Sequence, residues 1–110
     1  MLLENANKAI IDIRKLRDYC LSKSHPRGKH KANVFEKVIN LEAKDANKLK
    51  VLLYKAVNNS DAKFLTKDNF GSRYQIDFQI ENNNKIATIR SLWIVRNEDG
   101  IPRLITCYVL

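Results

Sequence analysis

The sequence predicts an α+β fold, with about three N-terminal helices packed on one face of a four-stranded antiparallel meander sheet. Apolar residues follow a helical period up to about residue 58 and a two-residue strand period from about residue 62. The 110 residues, 45% of them hydrophobic, contain no linker or internal repeat. We therefore expect one domain over residues 1–110, with helices at about 13–58 and the sheet at about 62–110.

Three amphipathic stretches account for the predicted helices. The first spans residues 13–21, and Asp12 is its expected N-cap. The second begins at residue 30 or 31, after a Pro and a Gly, and ends near residue 40. The third covers residues 43–58, where an apolar stripe lies opposite a row of lysines. A short apolar run over residues 9–11 is expected to be extended.

Four later segments show the alternation of strands. They cover residues 62–66, 73–81, 85–96 and, from Pro102 or Arg103, the stretch to residue 110. Three asparagines at 82–84 and the Asp-Gly pair at 99–100 predict hairpin turns between the last three strands.

The alternation also predicts which side chains the helices leave uncovered. Ile105 is expected to face the helices, and Leu104 the open side. Guanidinium and hydroxyl groups on one open face are typical of phosphate binding. The alternative is ordinary ion pairing, of Arg73 with Asp77 and of Arg90 with a neighbouring acid. The polar residues expected on the open face are Arg73, Gln75, Asp77, Thr88, Arg90, Thr106 and Tyr108.

The charge balance indicates a polyanionic partner. Twenty Lys and Arg residues against 12 Asp and Glu give a net charge of +8 and a pI near 9.7. The alternative is that the lysines only keep the protein in solution.

Cys20 and Cys107 lie in apolar patterns and are expected to be buried free thiols. The N-terminus does not resemble a signal peptide and no apolar run is long enough to span a bilayer, so we predict a cytoplasmic protein without membrane contact.

The eight residues from His25 to Ala32, here called the histidine box, are the main candidate for chemistry. They contain both histidines of the chain, together with Arg27 and Lys31. His25 and His30 have the residue type needed for a general acid and a general base in RNA cleavage. Lys31 and Arg27 can stabilise the charge of the transition state, and the start of the second helix can hold a phosphate. Alternatively, His25 forms a capping turn and His30 is solvated.

Four motifs carry a resemblance to a known family. They are HPRGKHKA at 25–32, GSRYQIDF at 71–78, IRSLWIV at 89–95 and PRLITCY at 102–108. The chain resembles a bacterial family of uncharacterised domains with the patterns HPxGxxKA, GxRYxxDF and PRLxTxY. Members of that family occur alone and at the C-termini of polymorphic-toxin and phage-type proteins, which implies an RNase toxin. The order of helices and strands is also similar to that of the barnase, EndoU and RelE ribonucleases.

These observations predict a metal-independent endoribonuclease toxin of a toxin–antitoxin or toxin–immunity pair, whose products carry a 2′,3′-cyclic phosphate. Its partners would be RNA and an acidic antitoxin or immunity protein, with no cofactor and no metal site. The sequence leaves a homo-oligomer open. The alternatives are a non-catalytic nucleic-acid-binding module and an interaction protein such as an immunity partner, against which the charge of +8 argues. The predicted catalytic residues are His25, His30, Lys31, Thr106 and Tyr108, and the predicted phosphate-binding residues are Arg27, Arg73, Arg90 and Arg103.

Overall fold

The computed structural model describes residues 1–110 and confirms the predicted α+β class, with helices packed on one face of an antiparallel sheet. The sheet has four strands in sequential order, each bounded within two residues of the prediction. No helix of the chain has both the length and the apolar character that crossing a bilayer requires. The strands are β1 (Lys63–Lys67), β2 (Gly71–Asn82), β3 (Lys85–Arg96) and β4 (Pro102–Val109).

The helical half of the chain follows the prediction except in its first helix. Helix α1 covers only Ile13–Lys15 and continues as a π-helical turn over Leu16–Cys20. Asp12 is the N-cap as predicted, since its side chain accepts a hydrogen bond from the backbone N–H of Arg14 at 3.0 Å. Helix α2 spans Lys29–Ile39. Helix α3 spans Ala46–Asn59, after a short 3₁₀ turn.

The core lies between the helices and the inner face of the sheet. Trp93 is completely buried at its centre, where the indole N–H donates to the hydroxyl of Ser91 at 2.9 Å. That hydroxyl donates to the carbonyl of Ile76 at 2.8 Å, so the polar atoms of Trp93 and Ser91 are both paired. The other large side chains that are fully buried include Leu16, Phe35, Leu49, Leu53 and Ile89.

The two edges of the sheet differ. Along β4, Ile10 forms a short parallel bridge with Arg103. The N–H of Ile10 donates to the Pro102 carbonyl at 2.9 Å, and the N–H of Leu104 donates to the Ile10 carbonyl at 3.0 Å. The expected extended segment near residue 10 is thereby confirmed, and it covers this edge. Beyond β1 there is no further strand, and all five β1 residues are exposed.

A β-bulge in β4 overturns two of the predicted face assignments. Leu104 is buried rather than on the open face, and Ile105 lines a surface cleft. The pairing with β3 shifts between Leu92 and Trp93, which leaves Ile105 as an extra residue and changes the phase of the alternation. Beyond the bulge, Tyr108 pairs with Arg90 on the open face, as predicted.

Candidate functional site

The histidine box is held against the π-helical turn by its first residue. The ring of His25 packs edge-on against that of Tyr19, with centroids 4.6 Å apart. Its Nδ1 accepts hydrogen bonds from the backbone N–H groups of Arg27 at 3.0 Å and Gly28 at 3.2 Å. The lone pair of Nδ1 is thus in use, so the neutral ring carries its proton on Nε2. His25 therefore forms a capping turn and also presents one N–H donor.

A glycine allows this close packing. A Cβ at Gly28 would lie only 2.4 Å from the carbonyl oxygen of Tyr19, well inside van der Waals contact. The carbonyl of Gly28 then accepts from the N–H of Ala32 at 2.9 Å, and Ala32 itself is buried. Gly28 and Ala32 together fix the start of α2 next to the turn.

A cleft of about 670 Å³ opens beside the box at the β4 edge of the sheet. One wall comes from α1 and the turn after it, and the opposite wall comes from the bulged part of β4. His25 and Lys31 also line the cleft. Three residues predicted from the sequence, His25, Lys31 and Thr106, thus share one cleft, and the other residues lining it are Asp12, Arg14, Lys15, Asp18, Tyr19 and Ile105.

A row of contacts leads from the cleft onto the open face of the sheet. The Lys31 ammonium lies 4.4 Å from the centroid of the Tyr108 ring, a cation–π contact. Arg90, opposite Tyr108 in register, binds both carboxylate oxygens of Asp77 at 3.0 Å. The hydrogen bonds that Arg90 donates to Asp77 are the main cause of the raised pKa of Arg90, and the Tyr108 phenol adds a smaller effect. Arg90 therefore forms the ion pair expected in the alternative prediction while lying next to Tyr108.

The carboxylates of the cleft are held as anions. Arg14 binds both oxygens of Asp12, at 3.0 and 2.8 Å, and this hydrogen bonding lowers the pKa of Asp12 to about 2. Asp18 is bound by Arg17, which likewise lowers its pKa. Carboxylates stabilised in this way are poor proton acceptors. No three His, Cys, Asp or Glu side chains are grouped so that they could hold a metal ion.

The two cysteines are buried free thiols, as predicted, and they are also neighbours. The Sγ of Cys20 lies 3.7 Å from the hydroxyl oxygen of Thr106. A hydrogen bond from the Cys107 thiol lowers the pKa of Cys20 to about 6, and the same pairing and burial raise that of Cys107. The apolar pattern predicted burial for each cysteine but contained no signal that they meet behind the cleft.

The remaining predicted residues do not line the cleft. Arg27 and His30 are exposed at the start of α2. Arg73 is paired with Asp68 near the tip of the β1–β2 hairpin, and Arg103 binds Asp99 at 2.6 Å. Other residues of the cleft, such as Tyr19 and Lys15, were not predicted from the sequence. They lie on an amphipathic stretch, where residue type alone does not distinguish a residue of a functional site from an ordinary surface residue.

Comparison with solved structures shows a similar fold. The chain superposes with a TM-score of 0.64 and 20% identity on a chain of a contact-dependent growth inhibition toxin–immunity protein complex from Klebsiella pneumoniae 342. The similarity covers 96% of this chain and 97% of the other. No curated protein matches the sequence.

A family model covers almost the whole chain, from residue 2 to residue 110. It spans the histidine box, the bulged strand and every residue that lines the cleft. The chain therefore belongs to the family described as Domain of unknown function (DUF6883).

Proposed function

We propose that the protein is a metal-independent endoribonuclease and the toxin of a toxin–antitoxin or toxin–immunity pair. The observation that carries the proposal is the contact of Lys31 with Tyr108, beside Arg90, at a cleft that His25 and Thr106 also line. Cations, a phenol and an imidazole N–H around one opening match the needs of a phosphoryl group whose charge increases during reaction. The predicted likeness to barnase-type ribonucleases is consistent with this chemistry.

In the proposed reaction the 2′-oxygen of RNA attacks the adjacent phosphorus, and the bond to the 5′-oxygen breaks. Lys31 stabilises the negative charge that develops on the phosphoryl oxygens, Arg90 holds the phosphate in position, and Nε2–H of His25 donates to one of the oxygens. Tyr108 gives its proton to the leaving 5′-oxygen. The sequence left open which histidine is the base, and the neutral ring of His25 has no free lone pair. The 2′-proton is therefore assigned to His30, which is exposed at the start of α2 outside the cleft lining, so the 2′-hydroxyl must lie beyond the rim of the cleft. The product ends are a 2′,3′-cyclic phosphate and a 5′-hydroxyl.

The toxin role is supported by charge and by the similarity of fold to a chain from a toxin–immunity complex. A net charge of +8 suits a protein that acts on nucleic acid. An acidic antitoxin or immunity protein would then cover the basic cleft by charge complementarity. Bacterial growth should stop when the chain is expressed alone and recover when such a partner is expressed with it.

The direct test is cleavage of RNA by the purified protein in the presence of a chelator, with analysis of the product ends. Lys31→Ala should slow cleavage by about 10²–10³-fold, because it removes charge stabilisation at the phosphate. Lys29→Ala is the matched control, since Lys29 is exposed in the same helical turn and does not line the cleft. Equal rates for the two variants would contradict the proposal.

A second candidate function is binding of nucleic acid without cleavage. It is favoured by one observation: the Nδ1 lone pair of His25 and the carboxylates of Asp12 and Asp18 are all engaged by donors. A site of this kind would hold phosphates without taking a proton from RNA. Tight, strongly salt-dependent RNA binding with no cleavage by the unmodified protein would favour this candidate over the first.

A further inference from the structure

We propose that a groove between the tips of two hairpins is a second RNA-binding subsite, where Phe70 stacks on an unpaired base and Arg73 and Arg96 contact phosphate. The inference rests on the proposed function, since it assumes an RNA substrate. The groove has a volume of about 790 Å³ and lies apart from the cleft, with no lining residue in common. Besides these three residues, Asn69, Ile94, Asn97 and Glu98 line the groove.

Phe70 is the most exposed large hydrophobic residue of the chain, at 72%. Its backbone is nevertheless fixed, because its N–H donates to the Asp68 carboxylate at 2.9 Å and its carbonyl accepts from the N–H of Asn97 at 3.3 Å. Phe64, also exposed, differs because its ring packs against Tyr74 with centroids 5.8 Å apart. Phe70 has no aromatic neighbour, so a constrained loop holds a free ring surface in solvent. That arrangement matches the stacking platforms of single-strand-binding proteins.

Charged and amide groups surround this ring. Arg73 binds Asp68 and Arg96 binds Glu98, each through a single guanidinium nitrogen, Nη1. The other nitrogens of both guanidinium groups make no ion pair and can donate to a phosphate. The side-chain amide of Asn97 donates to the Asn69 carbonyl at 3.2 Å, and its oxygen stays available to a base edge.

The open face of the sheet connects the groove to the cleft. Arg90 and Arg96 both lie on β3, six residues apart and on the same side, which corresponds to about 20 Å along the strand. Leu92 and Ile94 lie between them and are half-buried. A single strand of RNA that has its reacting phosphate at Lys31 can therefore follow β3 to Phe70. Aromatic and arginine side chains also occur in protein interfaces, but this continuity with the cleft favours RNA.

The test measures binding of a fluorescent, unstructured RNA of about 12 nucleotides to proteins that also carry Lys31→Ala, which should slow cleavage enough for binding to be measured. Phe70→Ala should weaken binding by about 10-fold, and Phe70→Trp should restore it, because stacking needs only an aromatic face. The dependence of affinity on salt, measured between about 50 and 200 mM, should stay the same for Phe70→Ala and become shallower for Arg96→Ala. Val51→Ala, at an exposed position on α3, is the matched control and should bind like the parent.

The outcomes separate this inference from the proposed function. If Phe70→Ala binds RNA like the parent while the parent binds well, the subsite is overturned and the groove fits a protein partner instead. If Phe70→Ala changes the salt dependence as much as Arg96→Ala does, stacking is overturned as the cause. If neither the Lys31→Ala parent nor the unmodified protein binds any RNA, the proposed function itself fails, and the subsite fails with it.

Discussion

The cleft and the groove lie at two ends of one sheet face. They differ in whether the basic side chain that would contact the phosphate has an acidic partner. At the cleft, Lys31 has no acidic partner and rests on the ring of Tyr108. At the groove, Arg73 and Arg96 each have a carboxylate beside them. An unneutralised cation can respond to charge that develops during a reaction, whereas a neutralised one mainly fixes position. Under the proposed function, this difference places chemistry at the cleft and substrate binding at the groove.

The largest effect that would test this assignment is expected at His25. His25→Gln can place its amide N–H near the position of Nε2, whereas His25→Asn can keep only the oxygen that caps the turn in place of Nδ1. If His25 donates to the phosphate, His25→Asn should lose about 10²-fold in cleavage rate and His25→Gln clearly less. Single-turnover cleavage in the presence of a chelator measures this. The reverse order would show that His25 only caps the turn.

Two glycines allow each region to be disturbed separately. A Cβ at Gly28 would lie 2.4 Å from the Tyr19 carbonyl, and one at Gly71 would lie 2.3 Å from the Val95 carbonyl. Gly71 also has a φ of 153°, so Gly71→Ala should lower the free energy of unfolding by about 1–3 kcal/mol. Gly28→Ala should slow cleavage and leave RNA affinity unchanged, while Gly71→Ala should weaken affinity more than the cleavage step. Urea unfolding measures the free energy of unfolding, fluorescence anisotropy measures the RNA affinity, and single-turnover kinetics measure the cleavage rate. Identical changes in both variants would argue against two separate regions.

The smallest effect concerns Asp12 at the rim of the cleft. Its folded pKa of about 2 lies below its ordinary value of 3.8, so its interaction with Arg14 contributes stability above pH 4 that is lost as the pH falls towards 2. Asp12→Asn should therefore lower the urea midpoint slightly at pH 7. Near pH 2 the substitution should have no effect, because the wild-type carboxyl loses its charge there and resembles the neutral amide of asparagine. An equal difference at both pH values would show that the charge of Asp12 is not responsible, since asparagine keeps the oxygen that caps the helix.

Most of the fold could be predicted because each element has a clear period. The strand alternation located β2, β3 and β4 within two residues, and the lysine-rich α3 was evident. The π-helical turn was not predicted, because an apolar stripe that fits an α-helix over residues 13–21 also fits a single widened turn. The bulge at Ile105 was missed for a similar reason, since a run of apolar residues in β4 gives no sign of where the phase changes.

The candidate site was only partly predictable. The residue types of the histidine box and the alternation of β4 pointed to Lys31 and Tyr108, which meet in the structure. The alternative pairing of Arg73 with Asp77 was wrong, because the acidic partner of Arg73 is Asp68 in the hairpin loop. Several acids were equally available in the sequence, and only the register of the strands decides among them. The exposed position of Phe70 also depends on loop hydrogen bonds that have no sequence period.

The way the cleft is assembled has a consequence for folding kinetics. Its two sides are far apart along the chain, since the contact between Cys20 and Thr106 spans 86 residues. Contacts of such high sequence separation form slowly, because the intervening chain must be ordered first. A refolding molecule that has formed the four-stranded sheet but has not yet packed the π-helical turn against β4 possesses the groove and lacks the cleft. RNA binding is therefore expected to return before cleavage when the denatured protein is diluted into buffer.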